Sequence, residues 1–143
     1  MRIQDVLRVK GDQVFTISPE TTVSELLTVL AQRNVGALVV CGEDDTIAGI
    51  VSERDVVRRL DDRGTEILDA PVSQIMTTTV TTCTERDAVD ELMRLMTDRR
   101  IRHVPVVRDG RLVGLISIGD VVKHRIGELE HERQNLIGYI AGS

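Results

Sequence analysis

Aromatic side chains are almost missing from this 143-residue chain: it has no Trp, one Phe (Phe15) and one Tyr (Tyr139). Modules that grip single-stranded nucleic acid stack bases on aromatic platforms, so that class of function is disfavoured. Positive charge is short as well, with 18 Lys and Arg against 23 Asp and Glu, a net charge of −5. Such a surface is a poor generic partner for a polyanion, although a local basic cluster can still hold one phosphate group. No apolar run approaches the ~18 residues of a membrane span. The start, Met1-Arg2-Ile3-Gln4-Asp5, lacks the apolar stretch of a signal peptide. The expectation is a cytoplasmic protein with neither membrane nor nucleic acid as partner.

Catalytic equipment is thin. Two cysteines, Cys41 and Cys83, cannot build a zinc site alone, and there is no Cys-x-x-Cys pair. Both sit in apolar, β-like runs and read as small buried hydrophobes. The three histidines, His103, His124 and His131, support no nucleophilic triad. Neither a Gly-x-x-x-x-Gly-Lys-Ser/Thr loop nor a Gly-x-Gly-x-x-Gly turn is present. An enzyme, a catalytic cofactor and a resident metal are therefore not expected. What the chain does have is an ordinary folded composition, 41% apolar and 29% charged.

It also contains itself twice. Gly49-Ile50-Val51-Ser52-Glu53-Arg54-Asp55-Val56-Val57 returns 65 residues later as Gly114-Leu115-Ile116-Ser117-Ile118-Gly119-Asp120-Val121-Val122. Upstream the offset is 66: Val14 meets Val80, Val23 meets Val89, and Leu26 meets Leu92. The one-residue change falls in turns, Gly42-Glu43-Asp44-Asp45 against Asp109-Gly110, where an extra residue is cheapest. Each copy reads β-α-β-β-α. Short strands are expected at Val14–Ile17 and Val80–Cys83. Helices should start at Ser18-Pro19-Glu20 and at Thr84-Glu85-Arg86-Asp87. Their apolar stripes are Val23, Leu26, Leu27 and Leu30, then Val89, Leu92, Met93 and Met96. Hairpins follow, Ala37–Cys41 with Ile47–Val51 and Val104–Val107 with Leu112–Ile116, the second marked by Asp109-Gly110. A second helix should begin at Ser52 and at Ser117.

The predicted class is thus a mixed α/β (α+β) fold of two small repeats packed about a pseudo-two-fold axis, plus a C-terminal helix. Neither copy of ~60 residues would bury enough apolar surface to stand comfortably alone. The expected divisions are a first repeat over 1–62, a polar linker over 63–71, a second repeat over 72–125 and a helical tail over 126–143. In that tail Val122, Ile126, Leu129, Arg133, Leu136 and Ile140 form a heptad-like seam with one polar interruption. A seam of this kind needs cover, and a symmetric homodimer is expected to supply it. His124 and His131, on the same helix, are expected at the surface.

The chemistry should lie where each second strand of a hairpin runs into Ser-x-x-Asp and a helix. A plain helix cap explains one copy: the Ser hydroxyl accepts an amide one turn in, and the Asp faces the positive helix end. Two copies, each with Gly three residues before the Ser, suggest more. Helix-tip amides suit a phosphate, the carboxylate suits a ribose diol, and nearby apolar strand residues suit a base. Arg54, in the first helical turn, and the basic run Arg99-Arg100 with Arg102-His103 are candidate anion contacts.

The residues resemble the CBS domain (cystathionine β-synthase domain) in tandem, a Bateman module. The motifs that carry the likeness are Gly49/Ser52/Asp55, Gly114/Ser117/Asp120, Ile75-Met76-Thr77 through Val80-Thr81, and Arg102-His103-Val104-Pro105-Val106. They cover about residues 3–125, and the whole looks most like small stand-alone bacterial members. The resemblance implies a sensor rather than an enzyme, holding AMP, ADP, ATP, S-adenosylmethionine or NAD(H) in clefts between the repeats and signalling to an unidentified protein target. By position, Asp55 and Asp120 would grip ribose hydroxyls, and Ser52 and Ser117 would meet ribose or phosphate. Adenine would lie against Thr16, Ile17, Gly36 and Ala37 in one cleft, and against Thr77, Val80, Val104 and Pro105 in the other. Arg102 and His103 would meet phosphate. The clefts should differ, since Gly36-Ala37 faces Arg102-His103 and Arg54 faces Gly119. The first arm also departs from the pattern, with Asp5-Val6-Leu7 standing where the second has Gln74-Ile75-Met76 and with Lys10-Gly11-Asp12-Gln13 lengthening it.

Overall fold

The computed structural model describes residues 1–11 and 14–142; Asp12 and Gln13 of the lengthened arm, and Ser143 of the tail, lie outside the described residues. In chain order the elements are α1 (Ile3–Lys10), β1 (Thr16–Ile17), α2 (Val23–Arg33), β2 (Ala37–Cys41), β3 (Ile47–Ser52) and α3 (Glu53–Arg63). Short 3₁₀ turns at Gly64–Asp69 and Val72–Gln74 lead to α4 (Val89–Arg99), β4 (His103–Arg108), β5 (Arg111–Ser117) and α5 (Ile118–Gly142). The first sheet runs β1-β2-β3, with β1 parallel and β3 antiparallel to β2. The second is the antiparallel pair β4-β5.

Both hairpins form as expected, and each extends to its Ser. Asp109 (φ 52°) and Gly110 (φ 79°) both adopt left-handed backbone, the geometry of a tight two-residue hairpin turn. The expected strand over Val80–Cys83 is reduced to one bridge, Cys83 to Val106. Its upstream residues are drawn elsewhere: Thr77 pairs with Ile50 of the first sheet through two backbone bonds of 2.9 and 3.0 Å.

The first helix of each repeat starts later than predicted. α2 begins at Val23 under a Thr22 cap, whose hydroxyl accepts the Glu25 amide at 3.2 Å. α4 begins at Val89. Residues 18–22 form a turn and a bridge instead of a helical turn, because Pro19 and Thr21 accept amides of Ser73 and Val72 while Val23 donates to Ala70. In the second repeat the same work is done on α1: Asp87 and Glu85 accept from Ile3 and Gln4, and Val89 donates to Met1. The Thr84–Asp87 box closes a turn before α4, with the Thr84 amide on Asp87 at 2.8 Å.

Those exchanges govern the cores. One core holds Val23, Leu26, Leu30, Leu38, Val40, Val51 and Val56, completed by Ile67, Val72 and Ile75. The other holds Val89, Leu92, Met96, Val104, Val106, Ile116 and Val121, completed by Ile3, Val6 and Leu7 from the far end of the chain. Each unit is sealed by the arm that precedes the other. The stretch read as a polar linker is therefore partly structural, with Ile67 fully buried. The motif glycines mark where the arms cross. A Cβ on Gly49 would sit 2.7 Å from the Thr77 carbonyl oxygen and 2.8 Å from the Met76 sulfur, and one on Gly114 would sit 2.7 Å from Leu7. A side chain at Gly49 would therefore push against backbone, and one at Gly114 would displace the Leu7 side chain from the second core.

Met96 is buried and Met93 packs partly buried beside the same core, whereas Leu27 of the α2 stripe is exposed. Cys41 and Cys83 are free and buried. Burial pushes the Cys83 thiol up to about 12, with Asp87 adding to the shift; burial and Asp45 raise Cys41. Neither is poised as a nucleophile. His124 departs from its expected surface position: it is half-enclosed, its Nε2 lying 3.0 Å from the Met1 sulfur and 3.1 Å from Glu128. His131 is exposed. No helix of the described residues is long and apolar enough to cross a membrane.

Candidate functional site

Both Ser-x-x-Asp turns fold into the same capping box. Asp55 Oδ2 accepts the Ser52 amide at 2.8 Å and the Ser52 hydroxyl at 3.1 Å, and the Asp55 amide donates back to Ser52 Oγ at 3.4 Å. Asp120 Oδ2 accepts the Ser117 amide at 2.9 Å, and its own amide donates to Ser117 Oγ at 3.1 Å. The next amides are also engaged: Glu53 donates to the Gly36 carbonyl at 3.0 Å, and Ile118 to the Arg102 carbonyl at 2.8 Å. The expectation of several free amides at each tip therefore needs correction. The cap consumes most of them, so charge for a phosphate must come from side chains.

Beside Asp55 lies a cavity of about 380 Å³, near the lower end of the range for small-molecule sites. Its walls come from both halves. Gly36 and Ala37 precede and open β2, Ile50 and Ser52 close β3, and Glu53, Arg54 and Asp55 start α3. The crossing arm adds Thr77, Thr79, Val80 and Thr81, and the approach to β4 adds Arg100, Ile101, Arg102 and His103. The expected grouping of these residues into two clefts thus fails: Gly36 and Ala37 share one cavity with Thr77, Val80, Arg102 and His103, because the arm carrying Thr77 is pinned to Ile50.

Six expected contacts stand outside it. Thr16 lines a different depression with Leu7, Arg8, Glu85 and Arg108, and Ile17 packs against the first core. Val104 is fully buried inside the second core, and Pro105 is buried in β4 with its carbonyl accepting the Cys83 amide. Ser117 and Asp120 lie at the other tip, where Lys10 Nζ sits 2.6 Å from Asp120 Oδ2 and 2.6 Å from the Leu115 carbonyl. Asp120 is thereby held below the usual carboxylate range. Burial, the largest single influence, pushes upward, but the Lys10 bond and the two Ser117 contacts together outweigh it.

Electrostatically the Asp55 cavity is split. Asp55 is half-buried and has no cationic partner among the described residues. Three arginines, Arg54, Arg100 and Arg102, line the same space from two halves of the chain, together with Glu53. Arg100 ends α4 in left-handed backbone (φ 55°), as Asn34 ends α2 (φ 53°). Asn tolerates that geometry and Arg does so less readily. His103 is half-buried and its pKa is lowered, first by burial and then by Lys10 and Arg102, against the opposing pull of Asp120 and Glu53. It is a neutral, polar wall. No group of three or more His, Cys, Asp or Glu among the described residues could hold a metal.

Comparison with known proteins decides the family. The CBS domain family matches residues 4–62 and again 72–127. The chain belongs to the CBS-domain family, as a tandem pair. This CBS pair is 39% identical over 148 residues to CBSX3, a mitochondrial CBS domain-containing protein of Arabidopsis thaliana, covering 98% of this chain and 72% of that one. Among solved structures it is similar to the CBS-domain protein ATU1752 of Agrobacterium tumefaciens, with a TM-score of 0.84, 42% identity, and coverage of 87% of this chain and 99% of the other. It is also similar to the CBS domain pair of MJ0100, solved in complex with 5′-methylthioadenosine and S-adenosyl-L-methionine, with a TM-score of 0.80, 25% identity, and coverage of 90% and 98%. Stand-alone CBS pairs are generally regulatory proteins.

Proposed function

We propose that this CBS pair is a regulatory module that binds a phosphorylated adenosine ligand, AMP, ADP, ATP or NAD(H), in the cavity beside Asp55. The observation that carries the reading is the half-buried Asp55 carboxylate, without a cationic partner among the described residues, sharing one cavity with three arginines and one further acidic residue, Glu53. A ribose diol donates to a carboxylate, a phosphate accepts from guanidinium groups, and Ala37, Ile50 and Val80 give a base an apolar wall. The complex of MJ0100 with adenosine-containing ligands supports the same class of ligand; the arginines favour an anionic one here. Ser52 supports Asp55 through the cap, and Thr77 and His103 border the base and phosphate ends. Because the cavity draws on both halves, a ligand that prefers one spacing of the halves shifts that spacing, and a cytoplasmic protein target reads the change. The module acts as a homodimer through α5.

Calorimetric titration with AMP and with adenosine tests the reading. Asp55→Ala should weaken both by about 1.5–3 kcal/mol, the range for hydrogen bonds to a charged group. Arg102→Ala should weaken AMP more than adenosine. Unchanged AMP affinity in Asp55→Ala, or equal losses in Arg102→Ala, would remove those roles. Should none of the four ligands raise the melting temperature, the chain is a dimerisation unit with vestigial clefts.

A further inference from the structure

We infer that Lys10 is a built-in occupant of the second helix tip and limits the chain to one nucleotide. The inference rests on the proposed nucleotide reading of the Asp55 cavity and adds its stoichiometry. The two tips carry the same capping box, so the cap cannot distinguish them. They differ in what crosses them. In the first sheet the Ile50 carbonyl accepts the Thr77 amide at 2.9 Å, a backbone bond from the crossing arm. In the second, Leu115 holds the place of Ile50, and its carbonyl accepts Lys10 Nζ at 2.6 Å.

The arms explain the substitution. Leu7 lies against Gly114 as Met76 lies against Gly49, so these two residues are equivalent in space. After Met76 the chain leaves to pair with Ile50. After Leu7, α1 continues through Lys10. A side-chain ammonium thus replaces a backbone amide, and it has donors to spare. A second one reaches Asp120 Oδ2 at 2.6 Å. A sugar diol at Asp120 would have to displace a hydrogen-bonded ion pair with a bond in which only the carboxylate is charged, an exchange that runs uphill. Asp55 faces no such competitor.

Titration of AMP, counted per chain by calorimetry, tests this. The wild type should take one AMP, and Asp55→Asn should bind it about 10- to 150-fold more weakly, with no other site of wild-type affinity. Lys10→Met and Lys10→Gln, which keep the side-chain stem on the fold, should each take two, and the Lys10→Met/Asp120→Asn double variant should return to one. Two AMP on the wild type, or one AMP bound by Asp55→Asn at wild-type affinity, would overturn the inference while leaving nucleotide binding standing. One AMP on both the wild type and the Lys10 variants would also overturn it. No AMP on the wild type with one on Lys10→Met would sink the Asp55 reading and keep Lys10 as the plug. No AMP on any of them would overturn both.

Discussion

His103 shows how one side chain links the two tips. It belongs to the Asp55 cavity, yet Lys10 and Asp120 of the other tip face it together with Arg102 and Glu53. Burial and the nearby cations favour its neutral form in the folded chain. The unfolded chain binds that proton near the ordinary value of ~6.5. Stability should therefore hold above that pH and fall as pH drops from it toward the lower folded value. Urea unfolding at several pH values between 7.5 and 5.5 checks this. The wild type should lose stability across the range more steeply than His103→Gln, and parallel curves would show that His103 is not held neutral. Asp120 acts in a different window. Its lowered pKa supports the fold above the usual carboxylate value of ~3.9 and ceases to do so in stronger acid, as pH falls through the folded value.

Residue by residue, what could be seen in the sequence was what local spacing dictates. Ser52 with Asp55 and Ser117 with Asp120 are three apart, and cap chemistry alone joins them. The Lys10–Asp120 pair spans 110 positions and appears only once α1 is docked on the second core. The same holds for the union of Gly36 with Thr77 and Arg102. Each residue type was readable as a contact, but their sharing of one cavity depends on arms that cross between units.

Among the elements, α5 is the one whose surroundings are incomplete. It runs 25 residues, about 37 Å at 1.5 Å per residue, and of its side chains only Val121 is buried. Ile126, Leu129, Leu136 and Ile140 of the heptad-like seam are between 48% and 65% exposed, and Ile137 and Tyr139 lie open nearby. Water contact over so many large apolar groups is costly, at roughly 25 cal/mol per Å² of surface that could be covered. The α5 seam of a second chain would cover them, which is why the proposed function includes a homodimer. Sedimentation equilibrium should give a dimer for the wild type and a monomer for Leu136→Asp/Ile140→Asp. That variant leaves the Asp55 cavity untouched, so its AMP affinity reports separately. A monomeric wild type at tens of micromolar would remove the dimer. The seam was legible because heptad spacing is local, whereas the late starts of α2 and α4 were not: both are delayed by backbone bonds from arms about 50 and 85 residues away in sequence.

At the scale of the molecule the crossed arms make two units into one folding problem. Cutting the chain between Ala70 and Pro71 separates the sequence repeats cleanly but leaves each core unfinished. The fragment 1–70 loses Val72 and Ile75 from its core and strands Ile3, Val6 and Leu7 in water. The fragment 71–143 suffers the converse. Each fully buried aliphatic side chain is worth roughly 1.5–3 kcal/mol, so two or three lost per core is comparable with the whole stability of a small domain, about 5–15 kcal/mol. Neither fragment should show a cooperative thermal transition by circular dichroism or dispersed amide resonances. An equimolar mixture should regain both, because every missing group is supplied by the other piece. The Asp55 cavity exists only in the reassembled pair, so AMP at 100 times its dissociation constant should add about 2.7 kcal/mol to the complex and nothing to either fragment. A cooperative melt from one fragment alone would mean that the arms are accessory, and that the two halves can move apart without unfolding. If both fragments need each other, a ligand in their shared cavity acts on the same contacts that hold the molecule together, and nucleotide binding cannot change without changing the spacing a partner would read.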